Sequence, residues 1–241
     1  MGKSAVILGV GAPDGVGGAL TRRFAREGLH AIIAGRTQAK IDLVAQQVID
    51  AGGSAEAVLT DVTSEEDQDA LFRVVADRGE VGAVLYNAGN NAIIPFEQLD
   101  VETLEAFWRV GCLGAFLAAK RAIPLLKEQG EGSLFFTGAS GSLRGRENFA
   151  HFASMKAGLR MLAQSLAREF GPAGIHVAHF IIDGVVDGEM VRSKYGDYLD
   201  QLGEDGGLSP DAIAEAYWHV HTQHRSAWTH EMDLRPFKER W

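Results

Sequence analysis

The sequence predicts an α/β protein of the Rossmann type, a single domain built on one doubly wound parallel sheet. A strand–helix unit repeats four times in the first 90 residues, and the second half continues the alternation with longer helices. Such alternation is typical of a parallel sheet that carries helices on both faces. Because 241 residues suit one such sheet and no linker-like, repeated or low-complexity segment interrupts them, residues 1–241 are predicted to form one domain.

The first strand-to-helix junction carries the most informative local pattern. Residues 5–10 indicate a short buried strand, and glycines at positions 11, 15 and 17 then open an amphipathic helix. We call Gly11–Gly17 the glycine turn. Glycine permits positive φ and lets a phosphate approach closely, while free N–H groups and the helix dipole favour a negative charge. The pattern predicts a diphosphate over Gly15–Gly17, with contacts from Gly11, Asp14, Gly15, Val16 and Gly17.

Apolar runs and helix caps define the remaining elements of the first half. Thr37 is placed to cap a helix, and Ser64 with Asp67 three positions later is typical of another helix start. A glycine at position 28 is a common helix stop. The predicted strands cover 29–35, 55–59 and 81–86, and the predicted helices cover 16–28 and 37–51, with a third beginning after Ser64.

The second half is predicted to contain two long helices, at 101–129 and 149–170, and a final helix at 210–222. Strands are predicted at 133–137 and 175–182, with an edge strand at 227–234. The glycine-rich stretch 184–207 is the most loop-like segment, and we expect it to be a mobile loop that shapes a substrate pocket.

The composition excludes several classes of function. A net charge of -9 and a pI near 5.4 argue against a nucleic-acid surface. A single cysteine, Cys112, excludes an intrachain disulfide, and no apolar run is long enough to span a bilayer. His219 and His221 face nearly opposite ways on a helix, so no metal site is predicted. We expect a cytoplasmic protein with no membrane or nucleic-acid partner.

Three motifs at successive strand ends resemble those of the short-chain dehydrogenase/reductase family. The stretch VGAPDGVG at 10–17 resembles the family's T-G-x-x-x-G-x-G turn, with Val10 in place of Thr. Asp61 and Val62 match the pair that contacts the adenine, and Asn87, Ala88 and Gly89 form the family's N-A-G. The resemblance covers essentially the whole chain. It implies a nicotinamide dinucleotide at the carboxyl edge of the sheet, where open α/β sheets bind ligands.

The residue after the second predicted strand indicates which dinucleotide is preferred. Arg36 is placed to reach a 2′-phosphate, whereas an acidic residue there would bond the ribose hydroxyls. Asp14 argues against a preference for NADP, since relatives that prefer NADP often carry a basic residue in the turn. On balance NADP(H) is favoured over NAD(H).

The catalytic end departs from the family pattern. The resemblance places Lys156 at the position of the lysine that holds the nicotinamide ribose, but the tyrosine position four residues earlier is Phe152. The family's serine position falls on Ala139, next to Ser140, and its relay asparagine falls on Gly111. Beyond the sixth strand, Asp183-Gly184 replaces the usual Pro-Gly, and Gly188 replaces a threonine.

Phenylalanine cannot transfer a proton, so ordinary carbonyl reduction needs a substitute acid. The available groups are Ser140, Ser142, His151 and a water held by Lys156. His151 has a suitable titration range but lies about 100° around the helix from Phe152. Either it acts as the catalytic acid, or it is a helix-start histidine that faces solvent or the cleft wall.

Two hypotheses therefore stand. The first is an NADP-dependent oxidoreductase with Lys156, Ser140 and His151 in its site, acting on a small carbonyl, alcohol, enone or imine. The second is a dinucleotide-binding sensor or partner subunit without catalysis. Arg144 and Arg146 could bind an anionic substrate or lie at the surface. The resemblance also implies a homodimer or homotetramer.

Overall fold

The computed structural model describes residues 2–89 and 91–239, which form a seven-stranded parallel sheet. The strands lie in the order β3-β2-β1-β4-β5-β6-β7. The order reverses between β1 and β4, which is where doubly wound sheets bind ligands. The strands are β1 (Ser4–Leu8), β2 (His30–Gly35), β3 (Ala55–Leu59), β4 (Val81–Tyr86), β5 (Gly132–Thr137), β6 (Ile175–Ile182) and β7 (Glu231–Leu234). The predicted Rossmann-type fold is confirmed.

Eight α-helices cover the two faces of the sheet in the described part of the chain. They are α1 (Val16–Arg26), α2 (Gln38–Asp50), α3 (Glu65–Arg78), α4 (Val101–Trp108), α5 (Gly114–Gln129), α6 (Ala150–Phe170), α7 (Glu189–Leu202) and α8 (Pro210–His221). Within residues 2–89 and 91–239, none of these helices combines the length and the apolar character that crossing a bilayer requires.

Alternation along the strands divides the core into two layers. Ala5 and Ile7 of β1 pack with residues of α1, α2 and α8, whereas Val6 and Leu8 pack with α3, α5 and α6. All five residues of β1 are buried because helices cover both faces, as expected for an inner strand of a parallel sheet. The sheet and its two helix layers hold the carboxyl ends of the strands in one fixed row.

Local signals in the sequence set most of the element boundaries. The Ser64 hydroxyl accepts a hydrogen bond from the Asp67 backbone N–H at 3.1 Å, so the predicted cap of α3 is present. Thr37 precedes α2 without a side-chain cap bond. The predicted strand at 81–86 and the strand at 175–182 have the predicted bounds. The edge strand is shorter than predicted, since β7 begins only at Glu231.

Two segments differ from the sequence-based prediction. The helix expected over 101–129 is interrupted by a π-helical turn, Arg109–Leu113, which adds a residue to one turn. The stretch 184–207, expected to be a loop, contains helix α7. Its flanking glycines, Gly188 and Gly203, occupy the helix caps, and the helix is kinked at Tyr195, where the backbone is non-helical.

Two histidines with lowered pKa values, the buried His179 and the partly buried His221, make the stability of this fold depend on pH. His221 bonds the Ser133 hydroxyl at 2.8 Å, and burial lowers the pKa of His221 to about 4. Burial likewise lowers the pKa of His179 to about 4, although Glu231 opposes this shift. Both side chains are therefore neutral in the folded protein near neutral pH.

We expect the free energy of unfolding to fall as the pH is lowered from 7 to 5. The unfolded chain protonates both histidines near pH 6.5 while the folded chain does not, so acid favours unfolding, by ~1–2 kcal/mol for each histidine. Urea denaturation at the two pH values measures the change. His221→Asn keeps a partner for Ser133 and should remove part of the pH dependence, the rest coming from the other histidines of lowered pKa; an unchanged pH dependence would contradict this assignment.

Candidate functional site

The polar residues singled out by the sequence lie along the carboxyl edge of the sheet. The glycine turn follows β1, and the residues that follow the next five strands in sequence order are Arg36, Asp61, Asn87, Ser140 and Asp183. Parallel strands end at the same edge, so the fold gathers these residues into one row.

The glycine turn is packed tightly on one side and open on the other. A Cβ at Gly18 would lie 2.1 Å from the Pro13 carbonyl oxygen, and one at Gly17 would lie 3.0 Å from the Val10 Cα. A Cβ at Gly11 would meet nothing within 4 Å. Positive φ occurs at Gly9, at 88°, and at none of the turn glycines 11, 15 and 17. The expected role of positive φ in the turn is therefore wrong; these glycines permit close packing and an open approach.

Arg36 lies beside the glycine turn. The preceding residue, Gly35, packs against the backbone just before the glycine turn, since a Cβ at Gly35 would be 2.3 Å from the Val10 carbonyl oxygen. Arg36 itself is exposed, as is Asp14 in the turn. At the end of β3, the Asp61 carboxylate accepts hydrogen bonds from the Thr63 N–H at 2.9 Å and the Thr63 hydroxyl at 2.8 Å.

Asn87 joins three strands. Its amide nitrogen donates to the Gly9 carbonyl at 3.2 Å, and its amide oxygen accepts from the Thr137 hydroxyl at 3.1 Å. The Tyr217 hydroxyl lies 2.7 Å from the same Thr137 hydroxyl. Because Thr137 donates to Asn87, Tyr217 donates to Thr137, and this buried chain fixes the ends of β1, β4 and β5.

Lys156 reaches the same place from α6. Its ammonium donates to the Thr137 backbone carbonyl at 2.7 Å, and its side chain is 4 % exposed. A Cβ at Gly89 would lie 3.3 Å from the Nζ atom, so the ammonium sits directly beside the Asn87–Gly89 segment. Burial lowers the pKa of Lys156 to about 8.

Phe152 and the turn after β5 lie next to Lys156. The Phe152 ring centroid is 5.9 Å from the Lys156 Nζ atom, and the same ring packs against Gly141. Ser140 begins a short 3-10 turn, Ser140–Ser142, and is half-buried. Phe152 thus lies between Lys156 and the turn that Ser140 begins.

Ser142 belongs to a buried polar chain that the sequence analysis missed. Its hydroxyl oxygen accepts from the Ala139 N–H at 3.2 Å and lies 3.3 Å from the His179 Nε2 atom. The His179 Nδ1 atom lies 3.1 Å from the Glu231 carboxylate, which Arg160 binds with two nitrogens at 2.7 Å each. Since the carboxylate only accepts, His179 donates through Nδ1 and accepts the Ser142 hydroxyl proton at Nε2.

This chain fixes the turn after β5 to β6, β7 and α6. The signal that could have found it is the polar His179 inside a mostly apolar strand, because a buried polar side chain needs a partner. Its partners come from distant parts of the sequence. Among residues 2–89 and 91–239, no group of three or more His, Cys, Asp or Glu is arranged to hold a metal ion.

Of the positions left open for His151, the solvent-facing one is wrong. It is fully buried, and its ring meets the Phe107 ring edge-on with centroids 4.3 Å apart. Burial lowers the pKa of His151, an effect that the nearby Ala92 backbone partly opposes. The ring packs under α4 because the first turn of α6 directs position 151 away from the side occupied by Phe152.

Asp183 and Arg144 are bound to each other. One Arg144 nitrogen donates to both Asp183 carboxylate oxygens, at 2.9 and 3.0 Å, and Arg235 lies 3.3 Å from one of them. The Asp183 side chain is only 3 % exposed. The Asp183 carboxylate is therefore committed to arginines, and Gly184 beside it packs against Pro236.

The π turn and Met155 fill the space around Gly111. A Cβ at Gly111 would lie 2.0 Å from the Met155 sulfur, so a side chain at position 111 would require Met155 to move. The Tyr86 hydroxyl donates to the Val110 carbonyl, which satisfies a carbonyl within the irregular turn. This contact ties the turn to the end of β4.

The start of α7 lies over the glycine turn. A Cβ at Gly188, its N-cap residue, would be 3.2 Å from the Asp14 carbonyl oxygen and 3.7 Å from the Gly15 Cα. Two helix N-termini, those of α1 and α7, thus approach the same stretch of backbone. Both contribute positive electrostatic potential there.

A glycine turn at the first strand–helix junction, with polar residues along the carboxyl edge of a doubly wound sheet, defines a dinucleotide-binding α/β protein. Residues 5–198 match the family model described as short chain dehydrogenase. The chain belongs to this family, whose members are oxidoreductases on a fold that binds a nicotinamide dinucleotide.

Relatives with known sequences or structures agree with this assignment. The chain is 33 % identical over 216 residues to the uncharacterized oxidoreductase YuxG of Bacillus subtilis, covering 88 % of this chain and 31 % of YuxG. A short-chain dehydrogenase from Rhodopseudomonas palustris is 31 % identical, with a TM-score of 0.84 and 98 % and 99 % of the two chains covered. An alcohol dehydrogenase from Thermococcus sibiricus, solved with 5-hydroxy-NADP, is 26 % identical, with a TM-score of 0.86 and 100 % and 99 % coverage.

The packing at Gly111 predicts that an asparagine cannot be restored there without cost. Gly111→Asn should lower the free energy of unfolding by ~1–3 kcal/mol, because the new side chain overlaps Met155. Chemical denaturation measures the loss. Gly145→Asn, at an exposed position with open space around it, is the control and should change stability little. Adding Met155→Ala to Gly111→Asn should cost less than the two single changes together; additive losses would contradict the overlap.

Proposed function

We propose that the protein is a nicotinamide-dinucleotide-dependent oxidoreductase that acts on a small carbonyl compound, alcohol, enone or imine through a modified site. The observation that carries the proposal is the placement of Lys156 beside Asn87–Gly89, at the same sheet edge as the glycine turn. That arrangement suits an extended dinucleotide whose diphosphate lies on the glycine turn and whose reactive ring lies near Lys156.

The residues present fit such a ligand. The open space at Gly11 and the start of α1 would accept the diphosphate, and Asp61 with Val62 would line the adenine. Lys156, Asn87, Ala88 and Gly89 would hold the nicotinamide ribose, with the backbone of Asp183 and Gly184 at the far end of the row. When bound, the cofactor supplies or accepts a hydride.

Arg36 supports a preference for NADP(H). It is exposed beside the glycine turn and makes no ion pair with any side chain in residues 2–89 or 91–239. Its guanidinium is therefore available for the 2′-phosphate of the cofactor. Asp14, exposed in the same turn, opposes this preference, and Arg36 is given the larger weight because it follows β2 directly.

Phe152 occupies the position of the family's tyrosine in this proposal. The proton would then come from Ser140 or from Lys156, directly or through a water. His151 is not placed to act as the acid, because its ring is buried against Phe107. Ser142 is also a poor donor, since its hydroxyl proton is directed to His179.

The second candidate function is dinucleotide binding without catalysis, as a sensor or as a partner subunit. It is favoured by the filled space at Gly111, where a relay asparagine would require Met155 to move, and by the apolar residues at 139 and 152. Both candidates share the dinucleotide site, and they differ only in whether a proton reaches the substrate.

Assembly into a homodimer or homotetramer is proposed through helices α4, α5 and α6. Large apolar side chains on these helices are exposed in the single chain: Leu104, Trp108, Phe116 and Met161. Exposed apolar groups on adjacent helices are typical of a protein interface. Light scattering on the purified protein tests this part of the proposal.

Titration with NADPH and NADH, followed by a turnover screen, tests the proposed function. The screen covers aldehydes, ketones, enones and imines. Tight NADPH binding with turnover of at least one class supports the oxidoreductase, whereas binding without turnover supports the second candidate. Failure to bind either dinucleotide would contradict both.

Removal of the Arg36 guanidinium should separate the two cofactors. Arg36→Ala is expected to weaken NADPH binding about 10-fold or more while NADH binding changes little, because only NADPH carries the 2′-phosphate. Quenching of tryptophan fluorescence measures both affinities. Lys40→Ala, an exposed cation on α2, is the matched control. Equal losses for the two cofactors would assign Arg36 another role.

A further inference from the structure

We propose that Lys156 is itself the acid–base group of the reaction. It takes over proton transfer from the tyrosine hydroxyl that is missing at position 152. The inference rests on the proposed function and adds to it the identity of the proton donor. It rests on the position of the Lys156 ammonium, its hydrogen bonds and the state of its neighbours.

The Lys156 ammonium has more N–H groups than its one hydrogen bond uses. It carries three N–H groups, and the Thr137 carbonyl accepts one at 2.7 Å. Within the described chain, 2–89 and 91–239, no carboxylate forms an ion pair with it. The two remaining donors can serve the cofactor ribose and the reacting oxygen.

The neutral form of the Lys156 amine is easily reached because the ammonium charge is buried without a counter-ion. Burial lowers the pKa of Lys156 to about 8, near the pH at which an acid–base catalyst is most effective. The titratable groups around it are His179 on β6, with Glu231 and Arg160 beyond it, and Tyr217, which shares Thr137. The neutral imidazole of His179 offers no negative charge to hold the ammonium in place.

Two other proton-carrying groups near Phe152 are engaged elsewhere. His151 packs against Phe107, and Ser142 directs its proton to His179. The Phe152 ring lies 5.9 Å from the Lys156 Nζ atom and offers no hydroxyl between Lys156 and a substrate. Ser140 remains, but an alcohol is a far weaker acid than an ammonium group, so Lys156 is the group beside Phe152 suited to give up a proton near neutral pH.

The step balances with the cofactor and this one amine. In reduction, the hydride from C4 of NADPH forms a C–H bond at the carbonyl carbon, and a proton leaves Nζ for the carbonyl oxygen, directly or through one water. The products are NADP⁺, the alcohol and neutral Lys156, which solvent protonates again. Oxidation reverses each transfer. Reduction should accordingly decline as the pH rises through about 8, where the ammonium is lost.

Substitution and chemical rescue at Lys156 test the proposal. NADPH binding and NADPH-dependent reduction of 4-nitrobenzaldehyde are measured for the wild type, Lys156→Arg and Lys156→Ala. Arginine keeps the positive charge but does not deprotonate. We expect Lys156→Arg to bind NADPH within about threefold of the wild type and to reduce the aldehyde at least about 100-fold more slowly. Lys120→Ala, an exposed lysine on α5, should match the wild type.

Rescue distinguishes proton transfer from a structural role. Added ethylamine should restore part of the activity of Lys156→Ala, with a pH profile that follows the amine, whereas guanidine should not. The proposal is overturned if Lys156→Arg stays active, if guanidine rescues as well as ethylamine, or if wild-type protein that binds NADPH does not reduce the aldehyde. Wild-type protein that fails to bind NADPH would contradict the proposed function instead.

Discussion

The hydrogen bond from the Lys156 ammonium to the Thr137 carbonyl is the contact on which the organisation of the site depends. It joins α6 to the end of β5 at the place where Asn87 bridges β1 and β4 and where Tyr217 reaches in from α8. A buried cation with only a neutral acceptor is costly, and the surrounding chain of hydrogen bonds holds it in position. The same cost lowers the pKa of the amine and makes it a usable acid.

The two halves of the site are built differently. The residues proposed to hold the dinucleotide, namely the glycine turn, Asp61 and Asn87, follow β1, β3 and β4. The region proposed for proton transfer is lined by apolar side chains, since Met155 occupies the space at Gly111 and Phe152 lies over Gly141. The polar groups that remain there are paired among themselves, as in Asp183 with Arg144 and His179 with Glu231. A site of this kind restricts proton transfer to very few atoms.

Much of the fold could be predicted from the sequence because its signals are local. Apolar runs bounded by glycine marked the strands, Ser64 marked the start of α3, and alternation implied the parallel sheet. The π turn could not be predicted, because it depends on Met155 and Tyr86 meeting residues 110 and 111 from distant elements. Helix α7 was missed because glycines that cap a helix resemble glycines of a loop. The Ser142–His179–Glu231 chain joins residues far apart in sequence, so the polar His179 in a buried strand could indicate that partners exist but not which residues they are.

A crystal structure of the protein with NADPH tests the central claim most directly. The account predicts the diphosphate on Gly15–Gly17, the 2′-phosphate at Arg36, and the nicotinamide ribose within hydrogen-bond distance of the Lys156 Nζ atom, which also faces the substrate side of the nicotinamide C4. NADPH bound away from the glycine turn, or a nicotinamide ring remote from Lys156, would contradict it.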